Sequence, residues 1–254
     1  MNSHLAAALA EFSDGSMSLA IKFSEYALAC DPDDARALSV LGRAQLKMGS
    51  YDLGIDALEQ ASLLCPLDDE SSVELAIAYG CIGHRSLSRD LLMSIATSGD
   101  LTAQTLLRVA AGLEAIDEPR LAMEACRQAG RKNPDLSEVH YQMGHYAQAC
   151  GHPPRIGEAL IRHAIGLDPK NVHYRIGLAS LLIRLGRQAE AVAVVDRFIP
   201  DHLGDVDCKC CLKRIANLFF DCDDHERAKL CAERLASISD HENDQGATHH
   251  VSVS

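Results

Sequence analysis

Sulfur and imidazole side chains are concentrated in one stretch near the C-terminal end of the sequence. The segment DVDCKCCLKRIANLFFDCDDHERAKLC holds five cysteines and one histidine between residues 208 and 231. Thiolates and imidazoles are the preferred ligands of zinc, and a thiol with a lowered pKa can act as a redox centre. The segment therefore raises two chemical hypotheses, a metal site and a thiol-based redox site, with Cys208 and Cys211 as the candidate residues.

The spacing of these cysteines excludes a zinc site with four cysteine ligands if the segment is helical. Cys211 and Cys222 are eleven residues apart, which is about 16 Å along a helix that rises ~1.5 Å per residue. Zinc holds each sulfur at ~2.3 Å, so an intact helix keeps these two thiols from sharing one ion. Cys208 and Cys211 lie near the predicted helix start, where the helix dipole lowers a thiol pKa, and a two-thiolate site or reversible disulfide stays open there. The favoured interpretation is that cysteine is a small buried residue between helices.

The sequence carries no other recognisable catalytic motif. It has no GxGxxG, no Walker motif, no HExxH and no nucleophile elbow. Clustered acids occur at residues 33–34, 68–70 and 223–224, each just before a predicted helix. Carboxylates at such positions accept hydrogen bonds from free backbone amides, so we interpret these clusters as helix caps. The sequence predicts no catalytic residue, no cofactor and no enzymatic activity.

The composition narrows the class of partner. The 254 residues carry a net charge of −12, and 47% of them are hydrophobic, which is enough apolar surface to form a core. Binding of nucleic acid needs concentrated Lys and Arg, and no apolar run approaches the length of a membrane span. The N-terminal segment MNSHLAAALAEF lacks the basic region of a signal peptide. We therefore expect a cytoplasmic protein with mostly reduced thiols that binds neither nucleic acid nor membrane.

The helices that would position the candidate residues are predicted from an internal repeat in the sequence. Residues 35–66 and 137–169 share an apolar residue followed by Gly, a Gly at a turn, a small residue in a second helix and a closing Pro. The same register recurs from starts near residues 1, 35, 69, 103, 137, 172 and 209. Position 8 is always Ala or Gly, and position 20 is always small, so the two helices of a unit can approach closely. The residues at position 8 are Ala8, Gly42, Ala76, Ala110, Gly144, Ala179 and Ala216.

This pattern resembles the tetratricopeptide repeat (TPR), a pair of antiparallel helices, A and B, of about 34 residues. The resemblance covers about residues 1–238 and is to scaffold proteins of the bacterial type. It implies an all-α fold, a right-handed α-solenoid of about seven antiparallel helix pairs in which each pair buries its apolar face against its neighbours. Residues 239–254 are polar and without periodicity, so we expect a disordered tail.

The resemblance also implies a binding surface, because the A helices of this family line a concave groove. The groove-facing positions hold seven Lys or Arg against five acids, although the whole chain carries −12. Such a groove predicts a protein or peptide partner with an acidic segment, whose carboxylates Arg and Lys would hold while polar amides bond its backbone. The alternative is a solvated helix face without a ligand. The predicted groove residues are Arg36, Arg43, Lys47, Arg108, Tyr141, Gln142, His145, His173, Arg184, Lys213, Arg214 and Asn217.

Helix A of the first repeat is apolar on both faces, because Leu5, Leu9 and Phe12 also occupy its groove-facing side. A helix that is hydrophobic all round is normally covered. The three residues therefore predict a homodimer contact or a docking site for a partner, against the alternative that a terminal helix tolerates exposure.

The predicted function is a non-catalytic protein–protein interaction scaffold that binds a peptide or helix of a partner in its concave groove. Two alternatives stay open. One is an accessory or regulatory subunit of an enzyme or secretion complex. The other is a thiol-based metal or redox sensor, which depends on Cys208 and Cys211 alone.

Overall fold

The structure is a computed structural model that describes residues 3–98, 101–195, 206 and 209–247. These residues form fourteen α-helices and no β-strand, in seven successive pairs, and the prediction of an all-α solenoid is confirmed. The A helices are α1 (Ser3–Ser13), α3 (Ala35–Lys47), α5 (Asp69–Cys81), α7 (Ala103–Ala115), α9 (Ser137–Ala149), α11 (Val172–Arg184) and α13 (Lys209–Asp221). The B helices are α2 (Met17–Cys30), α4 (Tyr51–Leu64), α6 (Arg85–Ser98), α8 (Pro119–Lys132), α10 (Pro154–Leu167), α12 (Gln188–Val195) and α14 (His225–Ala247).

The clustered acids act as helix caps, as predicted. Asp34, Asp68 and Asp224 each accept a hydrogen bond from a backbone N–H in the first turn of the helix that follows, at 2.7–3.1 Å. These backbone amides have no partner inside the helix, so each carboxylate satisfies a donor that would otherwise be left free. The caps set the N-terminal boundaries of α3, α5 and α14.

The turn inside each pair reverses the chain through a residue with positive φ. Five of the seven turns use glycine, for which this conformation carries no steric penalty. The fourth and seventh pairs use Asp117 and Asp223 instead, with φ of 66° and 58°. The five glycines are Gly15, Gly49, Gly83, Gly151 and Gly186.

The two helices of a pair touch where the repeat places its small residues. A Cβ added to Gly144 on α9 would lie 2.9 Å from the backbone oxygen of Gly157 on α10 and 2.7 Å from Ile161. Gly42 and Gly54 face each other in the same way between α3 and α4, at 2.8 Å. The close approach predicted from positions 8 and 20 is therefore confirmed in both pairs.

The chain divides into two compact units, Met1–Pro134 and Asp135–Ser254. The first unit contains α1 to α8, and its fully buried side chains include Leu58, Leu92 and Leu113. The second contains α9 to α14, and its core includes Leu182 and Phe219. None of the described helices combines the length and the apolar character that crossing a membrane requires.

The last helix is longer than the repeat predicts. Helix α14 spans 23 residues and continues to Ala247, so the prediction of a disordered tail is wrong for residues 239–247. Once a helix is nucleated, each residue added to it gains one backbone hydrogen bond. No proline interrupts this stretch. Residues 248–254, the rest of the predicted tail, lie outside the described residues.

Candidate partner-binding site

In the first unit, two of the predicted groove cations are paired with carboxylates. Arg43 donates from Nε to Glu74 Oε2 at 2.8 Å and from Nη2 to Glu70 Oε2 at 2.7 Å. Arg108 donates from Nη2 to Glu74 Oε1, also at 2.7 Å. The side chains of Arg43 and Glu74 are only 17% and 11% exposed. This row of four residues on α3, α5 and α7, the arginine–glutamate row, neutralises positive charge that the sequence assigned to a ligand.

The ring of Phe12 on α1 contacts Arg43 and a further predicted groove cation, Lys47. The guanidinium carbon of Arg43 lies 4.9 Å from the ring centroid, and Lys47 Nζ lies 5.1 Å from it, within the range of a cation–π contact. Arg36, by contrast, is exposed and lines a cleft of about 270 Å³ that Arg43 also borders. The first unit thus uses Arg43, Lys47 and Arg108 for contacts within the chain.

The apolar surface predicted on α1 is mostly covered by the chain itself. Leu5 is 3% exposed and packs with Ala27 on α2 and Ala37 on α3, and Leu9 packs against the same cluster. Leu5 is therefore wrong as a self-association residue. The reason is that α3 covers the face of α1 that α2 leaves open. Leu9 and Phe12 are half-buried, and their role in a homodimer stays a prediction.

The second unit holds a cleft of about 310 Å³ on its A helices, which we call the second-unit cleft. It brings together five of the predicted groove residues: Tyr141 and His145 on α9, Arg184 on α11, and Arg214 and Asn217 on α13. Its other residues are Gly144, Ile161, Gly177, Ser180, Leu181, Ile183, Leu218 and Asp221. The cleft therefore has an apolar floor beneath a polar rim.

The rim carries cations that the protein leaves available. Arg184 and Arg214 are both exposed, and neither makes an ion pair within the part of the chain that the structure describes. Asp221 is the one carboxylate among the lining residues. The rim therefore has an excess of positive charge in a chain whose net charge is −12.

An aromatic wall adjoins the cleft. Tyr141 stacks on Tyr174 with 4.7 Å between ring centroids, and the His173 ring lies 5.0 Å from Tyr141. Loss of solvent around the His173 ring, together with the positive charges of Arg214 and His145, lowers the pKa of His173, although Glu138 acts in the opposite sense. The surroundings of His173 therefore favour the neutral form of its ring.

The remaining candidates have other surroundings. Gln142 donates a hydrogen bond to Glu138 at 3.1 Å, and Lys213 is exposed without lining the cleft. Cys211 is buried, with its Sγ 3.2 Å from His173 Nδ1, whereas Cys208 lies outside the described residues. Within the described ranges, no three His, Cys, Asp or Glu side chains are placed to hold a metal ion.

Sequence reasoning missed the floor of the cleft. Gly177 occupies repeat position 6, a groove-facing position where four of the other six repeats carry a long polar side chain, namely Glu74, Arg108, Gln142 and Arg214. A Cβ on Gly177 would lie 2.6 Å from the ring and hydroxyl of Tyr141. The absence of a side chain at this one position was the signal that the Tyr141 ring packs against the backbone of α11 beside the cleft.

Comparisons with known proteins agree with the helix-pair architecture. The profile of the tetratricopeptide repeat family matches residues 135–202, which include α9 to α12. No curated protein matches the chain at a significant level.

Several solved structures are similar to the chain in fold. A tetratricopeptide repeat protein from Parabacteroides merdae aligns with a TM-score of 0.72 at 13% identity, over 92% of this chain and 91% of its own. PilF from Pseudomonas aeruginosa aligns with a TM-score of 0.59 at 16% identity, over 80% and 91% of the two chains. The TPR protein TTC0263 from Thermus thermophilus aligns at 0.56 and 20% identity, over 71% and 97%. At these identities the likeness concerns the fold alone.

Proposed function

We propose that this chain, whose sequence matches the tetratricopeptide repeat profile over residues 135–202, is a non-catalytic interaction scaffold that binds an acidic segment of a partner protein in the second-unit cleft. The observation that carries the proposal is the pair Arg184 and Arg214. Both side chains line one cleft, and within the described residues neither has an ion-pair partner.

Guanidinium groups suit this role for geometric and electrostatic reasons. Each presents several N–H donors in a planar fork that matches the two oxygens of a carboxylate. Asn217, on the same rim, adds an amide that can both donate to and accept from the backbone of a bound segment. An extended peptide across α9, α11 and α13 would then be held through its carboxylate and its main chain.

The arginines of the two units differ in their partners, and this difference supports the second-unit cleft as the binding site. Arg43 and Arg108 already share Glu74, so a ligand carboxylate would have to displace an internal one. At Arg184 and Arg214 it would compete only with water. We therefore place the acidic segment on the second unit and not along the whole row of A helices.

Selection from a random-peptide phage library tests the proposal. The wild-type protein is expected to enrich peptides that contain Asp or Glu, because a carboxylate must meet the two guanidinium groups. The double variant Arg184→Ala with Arg214→Ala is expected to lose that enrichment. Circular dichroism should show that it remains helical, since both side chains are exposed.

A charge-matched control separates the cleft from the net charge of the protein. Arg155 and Lys170 are exposed and lie outside the cleft, so Arg155→Ala with Lys170→Ala removes the same charge elsewhere in the second unit. This control should enrich the same peptides as the wild type. Selection of one peptide set by all three proteins would refute the proposal.

The cytoplasmic location and the exclusion of nucleic acid and membrane as partners stay predictions from the sequence. The two alternative functions are not favoured by any side-chain arrangement in the described residues. The thiol-sensor hypothesis has lost Cys211 as an accessible thiol, because that side chain is buried.

A further inference from the structure

We propose that the second-unit cleft recognises a two-part motif, an apolar side chain adjacent to a single acidic one. The apolar side chain enters the floor of the cleft, and the acidic one meets Arg184 and Arg214 at the rim. This inference rests on the proposed function and specifies the chemistry of the acidic segment that the cleft accepts.

The floor provides space and an apolar surface. Gly144 and Gly177 contribute no side chain, while Ile161, Leu181 and Leu218 are buried apolar residues that line the cleft. Its volume of about 310 Å³ corresponds to roughly ten water molecules at ~30 Å³ each. Water held against such a floor finds few hydrogen-bond partners, so an apolar side chain that displaces it gains affinity.

The space depends on the residue type at position 6 of the sixth repeat. The neighbouring A helices carry Gln142 and Arg214 at the same position. A Cβ at Gly177 would meet the Tyr141 ring at 2.6 Å, so a long side chain there would displace that ring, which lines the cleft. The glycine of the sixth repeat thus keeps Tyr141 in place as part of the cleft.

The rim favours one carboxylate over several. Arg184 and Arg214 attract an acid, but Asp221 lines the same cleft and repels a second acid placed near it. The lining residues therefore carry one more cation than anion, apart from His145. A run of acids fits this arrangement less well than one acid beside an apolar residue.

Fluorescence anisotropy with short peptides tests the motif. The probe is fluorescein-Gly-Ser-Leu-Glu-Ser-Gly-amide, with the reversed Glu-Leu order as a second probe, and the blocked C-terminus leaves Glu as the only carboxylate of the peptide sequence. The tighter of the two is compared with versions that carry Gly for Leu, Gln for Glu, or Glu for Leu. Each replacement is expected to weaken binding roughly tenfold or more, since burying a Leu side chain and pairing a carboxylate each contribute on this scale.

A cleft-filling variant supplies the matched test on the protein. Ser180 lines the cleft, so Ser180→Leu should remove the advantage of the Leu-Glu probe over the Gly-Glu probe, whereas Ser180→Ala should retain it. Thermal unfolding checks that both variants fold, and the peptide comparison on the wild type stands independently of them.

The outcomes separate this inference from the proposed function. If the Gly-Glu or Glu-Glu probe binds as tightly as the Leu-Glu probe, and binding still requires Arg184 and Arg214, the two-part motif is wrong and the acidic-segment proposal stands. If no probe binds, or if binding persists without both arginines, the proposed function fails together with the motif.

Discussion

Repeat position 6 holds a carboxylate between two arginines in the first unit and has no side chain in the sixth repeat. In the third repeat this position is Glu74, whose two carboxylate oxygens accept hydrogen bonds from Arg43 and Arg108. In the sixth repeat it is Gly177, which has no side chain to offer. The carboxylate that closes the row in the first unit is therefore missing at the equivalent position of the sixth repeat.

Replacing Glu74 tests the closed row. Glu74→Gln leaves two guanidinium groups without their shared carboxylate, so we expect a loss of about 1–2 kcal/mol in the free energy of unfolding, less than for a fully buried pair. Urea unfolding followed by circular dichroism measures it. Glu190→Gln is the control, because Glu190 pairs with Arg187 while 51% exposed and should cost less than about 0.5 kcal/mol. Equal losses of unfolding free energy in the two variants would show that the low exposure of Glu74 does not strengthen its ion pairs.

Acid should weaken the second unit through His173. Loss of solvent lowers the pKa of His173 in the folded protein, so the unfolded chain binds that proton more tightly. The stability that the neutral ring contributes is therefore full above the unfolded pKa of about 6.5 and is lost as the pH falls below it. The urea midpoint of the wild type should drop more between pH ~7 and ~5 than that of His173→Gln. Parallel curves for the two proteins would contradict this assignment.

At the scale of the helices, local features were predictable and side-chain pairings were not. Helices α3, α5, α7, α9, α11 and α13 begin at the residues where the sequence places the start of a repeat. Turns with positive φ and close helix contacts each demand a particular residue type, so a single sequence reveals them. The pair Arg43–Glu74 joins residues 31 positions apart. Which long side chains meet across two repeats depends on rotamers that the repeat pattern does not encode.

The errors on α1 and α14 also arise where the structure depends on more than the local repeat pattern. The sequence marks Leu5 as apolar and groove-facing, but its burial requires α3 to pack on α1, a contact between repeats. The extension of α14 to Ala247 follows from helix propagation and leaves no periodic signal. Only part of the second-unit cleft was predictable from the sequence. The repeat pattern locates the rim residues but does not reveal the space between them.

Helix packing within a pair should be intolerant of one added methyl group at position 8. A Cβ on Gly144 would meet the backbone oxygen of Gly157 at 2.9 Å, and a backbone atom cannot rotate away. We expect Gly144→Ala to lower the free energy of unfolding by about 1–3 kcal/mol, the usual cost of overpacking. Gly166→Ala on α10 is the control, because nothing lies within 4 Å of its added Cβ, and it should be neutral or stabilising by up to about 1 kcal/mol.

Helix α1 should act as part of the first unit and not as a dimer contact. Phe12 packs beneath Arg43 and Lys47, so Phe12→Ala is expected to lower stability by about 1–2 kcal/mol and to leave the mass measured by light scattering unchanged. Phe220→Ala, at a ring that is 64% exposed, is the control and should change neither quantity appreciably. A wild-type dimer that Phe12→Ala converts to a monomer would instead support self-association through α1.

Over the whole molecule, which is acidic, the second-unit cleft brings two accessible arginines, Arg184 and Arg214, into one site. The chain carries −12, and the first unit pairs Arg43 and Arg108 internally. In the second unit, Glu158 and Glu190 pair with Arg187 away from the second-unit cleft. The net negative charge of the chain repels an acidic peptide, and beyond about 8 Å salt screens this repulsion. The cleft is where local attraction prevails.

Hydrogen exchange resolved along the chain tests this distribution. Saturation with the Leu-Glu peptide should slow amide exchange in α9, α11 and α13, because a ligand that binds only the folded state makes local opening less favourable. Exchange in α3, α5 and α7 should not change. The Arg184→Ala, Arg214→Ala variant provides the control and should show no slowing in any helix at the same peptide concentration. Slowing along α3, α5 and α7 would instead mean that a ligand carboxylate displaces Glu74 from its arginines, and that the closed row of the first unit is itself a binding surface.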